Sequence, residues 1–296
     1  MRLGVSISSA HRSDGPRHMI ERARVAHEAG FDSLTIGDQH NVPIPYAQNT
    51  PMLGRLLAEW PDRPAGCLFL MPLWHPVLMA EQIGTLAAIH RVSAPDPSVP
   101  FIVQTGIGHG DAQFQAFGAS MATRGRVLEA SIEAVKALLD GEKVDDDRLG
   151  LVGGRVGLRS DGPIEWWIGA GVDTAIERAA RMGDAWYASP GLGPEEGAAK
   201  VERYRSLGGE RAIIRKDALV LDDGDEARRS AGELVAAGYR GMDLDVLLVG
   251  NADDVAAQLE PLALAGFDDV IVRCMNVPQD QALETLTLVG SLQGRV

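Results

Sequence analysis

The sequence predicts an α/β fold, a single (β/α)8 TIM barrel over residues 1–296 with a small excursion before its fifth strand. Apolar runs of strand length alternate with segments of helical period, the pattern of repeated β-α units on a parallel sheet. Eight such runs can be counted in the 296 residues, and barrels of this type take about 250 residues. Glycine-rich and polar residues follow the runs, and in such barrels the sites lie at the carboxyl ends of the strands.

The first strand is read over residues 3–8 and its helix over 16–29, with Gly30 just past the helix end, where glycine is favoured. A second strand, 33–37, runs into Asp38-Gln39-His40 and then a Pro- and Asn-rich loop, 41–50, long enough to wall a site, before a short helix at 52–59. The third strand, 67–71, precedes Pro72, His75-Pro76 and a helix at 77–88. His75 reads as structural, because a residue before proline is held extended. The fourth strand, 101–104, enters Gln104-Thr105-Gly106-Ile107-Gly108-His109-Gly110, and a helix follows at 121–139. Residues 141–160 lack a long period, and short Val/Leu pairs around Gly153-Gly154 suggest a hairpin. Strands five to eight are read at 164–168, 184–188, 218–221 and 269–273, with helices from 172, at 225–237 and at 253–265.

Composition narrows the function. A formal net charge of -13 argues against duplex nucleic acid and anionic membrane surfaces, which need clustered Lys and Arg. Cys67 and Cys274 both sit in apolar runs and read as buried thiols rather than a disulfide, without metal-ligand spacing. No apolar run reaches the ~18 residues of a membrane span, and the amino terminus is strand-like rather than signal-like, so a cytoplasmic protein is expected. Trp60, Trp166 and Trp167 read as packing residues.

Two strand ends stop at glycines, where backbone approaches a ligand or turns sharply. At the first, Gln104, Thr105, Gly106 and Gly108 are candidate cofactor contacts. At the second, Trp167-Ile168-Gly169-Ala170-Gly171 opens a helix whose bare amides and dipole suit a phosphate, so Gly169, Ala170, Gly171 and Thr174 are binding candidates, with Ser189 completing the site or serving as a plain turn. A nicotinamide dehydrogenase fits less well: its fingerprint wants an acidic residue ending the next strand, which here ends in Ser189-Pro190.

Several segments in order carry a family resemblance: Ala29-Gly30-Phe31-Asp32-Ser33, Pro72 with His75-Pro76-Val77 and Ala80-Glu81-Gln82, Phe114-Gln115-Ala116-Phe117-Gly118, Trp167 to Gly171, Ala179 to Trp186, and Leu264-Ala265-Gly266-Phe267-Asp268-Asp269-Val270-Ile271-Val272. Over nearly its whole length the chain resembles the bacterial luciferase-like flavin monooxygenases, a family that includes deazaflavin-dependent oxidoreductases. The resemblance implies a (β/α)8 barrel, commonly a homodimer, with reduced flavin across the strand ends. It places Asp38-Gln39-His40 where the family carries an acidic residue and one or two histidines facing flavin and substrate; the first histidine position is Gln39 here. Gln39 only hydrogen-bonds, so acid/base work falls to His40 or elsewhere; the competing reading has Asp38 and His40 capping a loop. His109 and Asp111, inside the glycine cluster, are placed to approach the flavin ring or the substrate; Asp111 is similar in position to a catalytic acid of deazaflavin relatives, or is a turn former. Leu68, with Phe69, aligns with a strand-three bulge that often carries a cis bond.

The leading expectation is an oxidoreductase, a monooxygenase that takes reduced FMN from a separate flavin reductase and inserts one atom of O2 into a small organic substrate. The alternatives are hydride transfer with the deazaflavin coenzyme and a non-catalytic flavin-binding partner subunit. No metal is expected.

Overall fold

The computed structural model describes residues 1–7, 14–159 and 161–295, so Ser8, Ser160 and Val296 at the ends of expected segments lie outside the described residues. In chain order the strands are β1 (Arg2–Ile7), β2 (Leu34–Ile36), β3 (Ala65–Leu70), β4 (Phe101–Gly106), β5 (Val144–Asp146), β6 (Leu151–Gly154), β7 (Ile164–Ala170), β8 (Ala185–Ala188), β9 (Ala212–Val220), β10 (Leu248–Gly250) and β11 (Asp269–Cys274). β1 to β4, β7 to β9 and β11 pair in parallel and close into a barrel. The closure runs through Trp186↔Ala212 between β8 and β9, Cys274↔Ala218 between β11 and β9, and Arg2↔Asp269 between β1 and β11. β5 and β6 form the antiparallel hairpin expected before the fifth barrel strand.

The helices cover the outside: α1 (Gly15–Glu28), α2 (Asn49–Leu56), α3 (Pro76–Ser93), α4 (Asp111–Ala116), α5 (Arg124–Asp140), α6 (Asp173–Met182), α7 (Pro194–Ser206), α8 (Gly224–Ala236), α9 (Ala252–Leu264) and α10 (Gln279–Gly290). In α1 the apolar spacing Met19, Ala23, Ala26 buries one stripe against the barrel. Asp223 caps α8 by accepting from Asp225 N and Glu226 N, and Asn251 with Asp254 makes a capping box on α9.

Strand periodicity sorts the barrel interior into layers. Ile102, Trp167, Ala185, Ile213 and Ile271 fill the lower interior. Gly66 has no side chain because there is no room for one: a Cβ would stand 1.8 Å from Ile102 O. At the amino-terminal face Arg211 pairs with both Glu165 and Asp269, tying β9 to β7 and β11. Two residues further along each strand, the inward positions become Gln104, Arg215 and Arg273, and the interior turns polar.

The structure corrects the sequence reading in several places. The seventh barrel strand begins at Ala212 rather than at 218, because the charged Arg215-Lys216-Asp217 interrupts the apolar run yet lies within the strand. β4 continues through Thr105 and Gly106. Three helices, α4, α7 and α10, and the short β10, paired to the far end of β9, were not anticipated. Asp111 therefore opens a helix instead of standing in a glycine turn. Every described peptide bond is trans, including that at Leu68-Phe69. Cys67 and Cys274 are free and buried, and Trp60, Trp166 and Trp167 are packed in the interior.

Candidate active site

A cavity of about 590 Å3 opens at the carboxyl ends of β1 to β4, bounded across the barrel by β9 and β11. One wall is apolar, from Leu68, Leu70 and Ile107, with Gly108 beside them. Facing residues are polar: Asp38, Gln39, Tyr46, His109, Gln113, Arg215, Arg240 and Arg273. Both its volume and its mixture of an apolar body with few placed polar groups suit a small molecule.

Asp38 ends the segment after β2 and is fully buried at its carboxylate. Its Oδ2 accepts from Leu70 N and from Trp74 Nε1, both at 2.8 Å, which pins β2 to β3 and the turn after it. His40 Nε2 stands 3.1 Å from Asp38 Oδ1, off the line of a hydrogen bond, and its ring lies against Trp74 and Phe117 at centroid distances of 5.6 and 5.0 Å. Gln39 lines the cavity, and His40 is not part of its wall. Burial, with Asp38 nearby, pushes the Tyr46 phenol up to about 12, so it stays a neutral hydroxyl.

On the opposite side three arginines surround one carboxylate. Asp217, with no exposed surface, accepts at Oδ2 from Arg273 Nη1 and from the Tyr239 hydroxyl, both at 2.8 Å. Arg215 Nε lies 3.2 Å from Asp217 Oδ1, and Arg240 Nε lies 3.5 Å from Oδ2. Burial alone would raise the Asp217 carboxyl, but Arg273, Arg215 and Arg240 together hold it below the ordinary carboxylate range. Burial and the two neighbouring guanidiniums lower Arg240. The strand period explains the grouping: Arg215 and Asp217 face the same side of β9, and Arg273 pairs in register with Asp217.

The intervening Lys216 faces outward. Its ammonium donates to Leu192 O at 2.7 Å, Val246 O at 3.1 Å and Pro190 O at 3.3 Å, joining the loop after β8 to the segment after α8. Burial lowers it to about 8. A second cavity, also about 590 Å3, lies on this outer side between Lys216, Asp245 and α9.

The remaining sequence candidates lie around the first cavity in different ways. Thr105 is buried and its hydroxyl accepts from Gly169 N at 3.3 Å, stitching β4 to β7. Gln104 is buried, its side chain against the Tyr187 hydroxyl, with Nε2 lacking an acceptor. Gly106 ends β4 against Leu68 and Leu70, where a Cβ would meet Leu70 at 2.8 Å. Gly169 and Ala170 end β7, Gly171 follows, and Thr174 lies in the first turn of α6, whose start has no side-chain cap. Thr174 and Ser189 are exposed, and neither they nor Gly169 to Gly171 line the cavity. Asp111 is exposed and also outside its wall.

The model of the luciferase-like monooxygenase family matches residues 1–240. The chain belongs to that family. The curated F420-dependent glucose-6-phosphate dehydrogenase of Nocardia farcinica is 26% identical over 226 residues, covering 68% of this chain. The match spans 65% of that relative's length, just under two thirds. Among solved structures, the monooxygenase RslO1 from Streptomyces bottropensis superposes with a TM-score of 0.81 at 18% identity, covering 98% of both chains. An F420-dependent secondary alcohol dehydrogenase in complex with an F420-acetone adduct superposes with a TM-score of 0.76 at 16% identity, covering 97% of both chains. This luciferase-like chain therefore has the closed barrel its sequence predicts.

Of the sequence candidates, Asp38, Gln39, Leu68, Gly108 and His109 meet at the cavity. Sequence reading missed Tyr46, Arg215, Arg240 and Arg273 as site residues. The available signal was the pair Arg215 and Asp217, two apart in a strand of otherwise apolar residues, since charges in a barrel strand at that period face one side together.

Proposed function

We propose that this protein is a monooxygenase that uses reduced FMN and O2 on a small organic substrate. The observation that carries the reading is that Gln39, whose amide is no general base, lines the cavity, while His40 packs against Trp74 and Phe117. At the position where the family resemblance expects a histidine, Gln39 cannot serve as the base that takes an alcohol's hydroxyl proton; oxygen insertion by a reduced flavin makes no such demand of that position. The site fits a planar ring: Leu68, Leu70 and Ile107 offer an apolar face, and the Gly108 backbone allows close approach. When bound, the reduced flavin supplies the electrons that activate oxygen. Gln39 and Tyr46 would orient polar edges, and the closed lower barrel packed by Trp167 and Ile271 excludes water from below. The reading takes the whole chain as one barrel domain, acting as a cytoplasmic homodimer served by a separate flavin reductase, with the uncapped start of α6 and Ser189 as the cofactor phosphate contacts.

A second reading, hydride transfer with the deazaflavin coenzyme, is favoured by the F420-dependent name of the curated relative and by His109, a histidine at the cavity able to accept a proton. Anaerobic titration with reduced FMN and with reduced deazaflavin, followed by mixing with O2, separates the two. The monooxygenase reading expects tight reduced-FMN binding and oxygen consumption that transfers label from 18O2 to product. Deazaflavin binding alone, without oxygen uptake, overturns it in favour of hydride transfer.

A further inference from the structure

The cavity contains more positive charge than its carboxylates neutralise. Arg215, Arg240 and Arg273 face Asp217 and, from the β2 side, Asp38, so three guanidiniums meet two carboxylates and one positive charge remains. Tyr46, Tyr239 and His109 complete the polar groups around them. Nothing in the overall composition supplies this excess, since the chain is -13 overall. The cluster is also incompletely paired. Arg215 Nη2 is buried without a hydrogen-bond partner, Arg215 Nε stands 3.2 Å from Asp217 Oδ1 but off the line of a hydrogen bond, and Gln104 Nε2, Asp217 Oδ1 and Asp38 Oδ1 are likewise without hydrogen-bond partners. A buried charged donor without an acceptor is costly, and such groups in native proteins call for an explanation.

Backbone geometry points the same way. Arg240 adopts φ 51°, ψ 14°, the left-handed region that a bulky residue rarely enters, between Gly238 at φ 86° and Gly241 at φ 65°. Strain of this kind persists where the surroundings enforce it and gathers at ligand clamps. Here it carries the Arg240 guanidinium to the cavity beside Arg215 and Arg273.

We propose that Arg215, Arg240 and Arg273 form a subsite for a carboxylate on the substrate. A guanidinium fork matches the two oxygens of a carboxylate, and a monoanion balances the one positive charge left over. Asp217 and Tyr239 position the fork by fixing Arg273 Nη1, and the apolar wall of Leu68, Leu70 and Ile107 takes the rest of the molecule. This inference rests on the oxidoreductase reading only in calling the anion a substrate.

The test is calorimetric titration of the purified protein with benzoate and its neutral isostere benzamide, alone and with bound FMN or riboflavin. Expected are benzoate binding at least tenfold tighter than benzamide, retained with FMN bound, and at least tenfold weakening by Arg215→Gln or Arg240→Gln with riboflavin affinity unchanged. Arg240, 40% exposed at its side chain, can be replaced without opening the core if Arg215→Gln fails to fold. Equal binding of benzoate and benzamide, or no binding of either, overturns the subsite. Displacement of benzoate by FMN but not by riboflavin also overturns it, by assigning the arginines to the cofactor phosphate. Failure of both FMN and riboflavin to bind, with benzoate still discriminated, would instead sink the FMN reading and leave the subsite standing.

Discussion

Gln39 and His40 are neighbours in sequence and differ in placement. Gln39 meets the cavity, and His40 packs on Trp74 and Phe117. Gln39→Ala is therefore expected to lower kcat/KM at least tenfold more than His40→Gln does, measured by steady-state kinetics on whichever substrate supports turnover. Asp38 has a different weight, since removing its carboxylate orphans Leu70 N and Trp74 Nε1 inside the protein. Asp38→Ala should lose about 2–4 kcal/mol of stability in urea unfolding. Lys216 adds a pH effect. Its folded value is lowered to about 8 from an ordinary 10.5, so between those values the unfolded chain holds a proton that the native one has released. Stability from this group is therefore least below pH 8 and rises as pH climbs toward 10.5. Comparing denaturation of the wild type and Lys216→Met at pH 7 and pH 10 should show the wild type gaining about 2–3 kcal/mol relative to the variant.

At the scale of elements, what could be read in the sequence followed hydrophobic pattern. β1 to β4, β7, β8 and β11, the β5–β6 hairpin, and α1, α8 and α9 carry clear periods or glycine stops and lie where the sequence put them within a few residues. β9 resisted because Arg215-Lys216-Asp217 divides its charges between the cavity and the outer loops, leaving no apolar run between Ile214 and Ala218. α7 resisted for a related reason: its exposed sequence, with Glu195, Glu196, Lys200, Glu202 and Arg203, buries only Gly197, Val201 and Tyr204. The site was legible where a strand ended in glycine or in Asp38-Gln39-His40, and illegible where residues distant in sequence converge, as Arg240 and Arg273 do on Asp217. The junction of β4 and β7 gives an element-scale prediction. Gly169 N reaches Thr105 Oγ1, and a Cβ on Gly169 would stand 2.4 Å from Thr105 O, a backbone atom that cannot swing away. Gly169→Ala should therefore part the two strands and destabilise by about 1–3 kcal/mol, read as a lowered melting temperature.

At the scale of the whole molecule, an acidic exterior encloses a cationic pocket, and the barrel makes this possible by placing β9 and β11 side by side with their charges inward. The arrangement is held by Asp217, the one carboxylate that all three guanidiniums share. Asp217→Asn keeps the shape and removes the charge, so the pocket's excess rises by one while its partners lose their common counter-ion. Breaking a buried ion pair from one side costs about 3–5 kcal/mol, and the variant should be less stable by roughly that amount without ligand. The same substitution should strengthen binding of a monoanion, by about 1 kcal/mol for a like charge removed near 4 Å in bulk-water dielectric and up to about 4 kcal/mol at an effective dielectric near 20. Because a ligand that binds only the native state stabilises it in proportion to its occupancy, benzoate should raise the melting temperature of Asp217→Asn more steeply than that of the wild type. Parallel benzoate-dependent melting curves for the two proteins would show that Asp217 does not govern the charge the pocket presents.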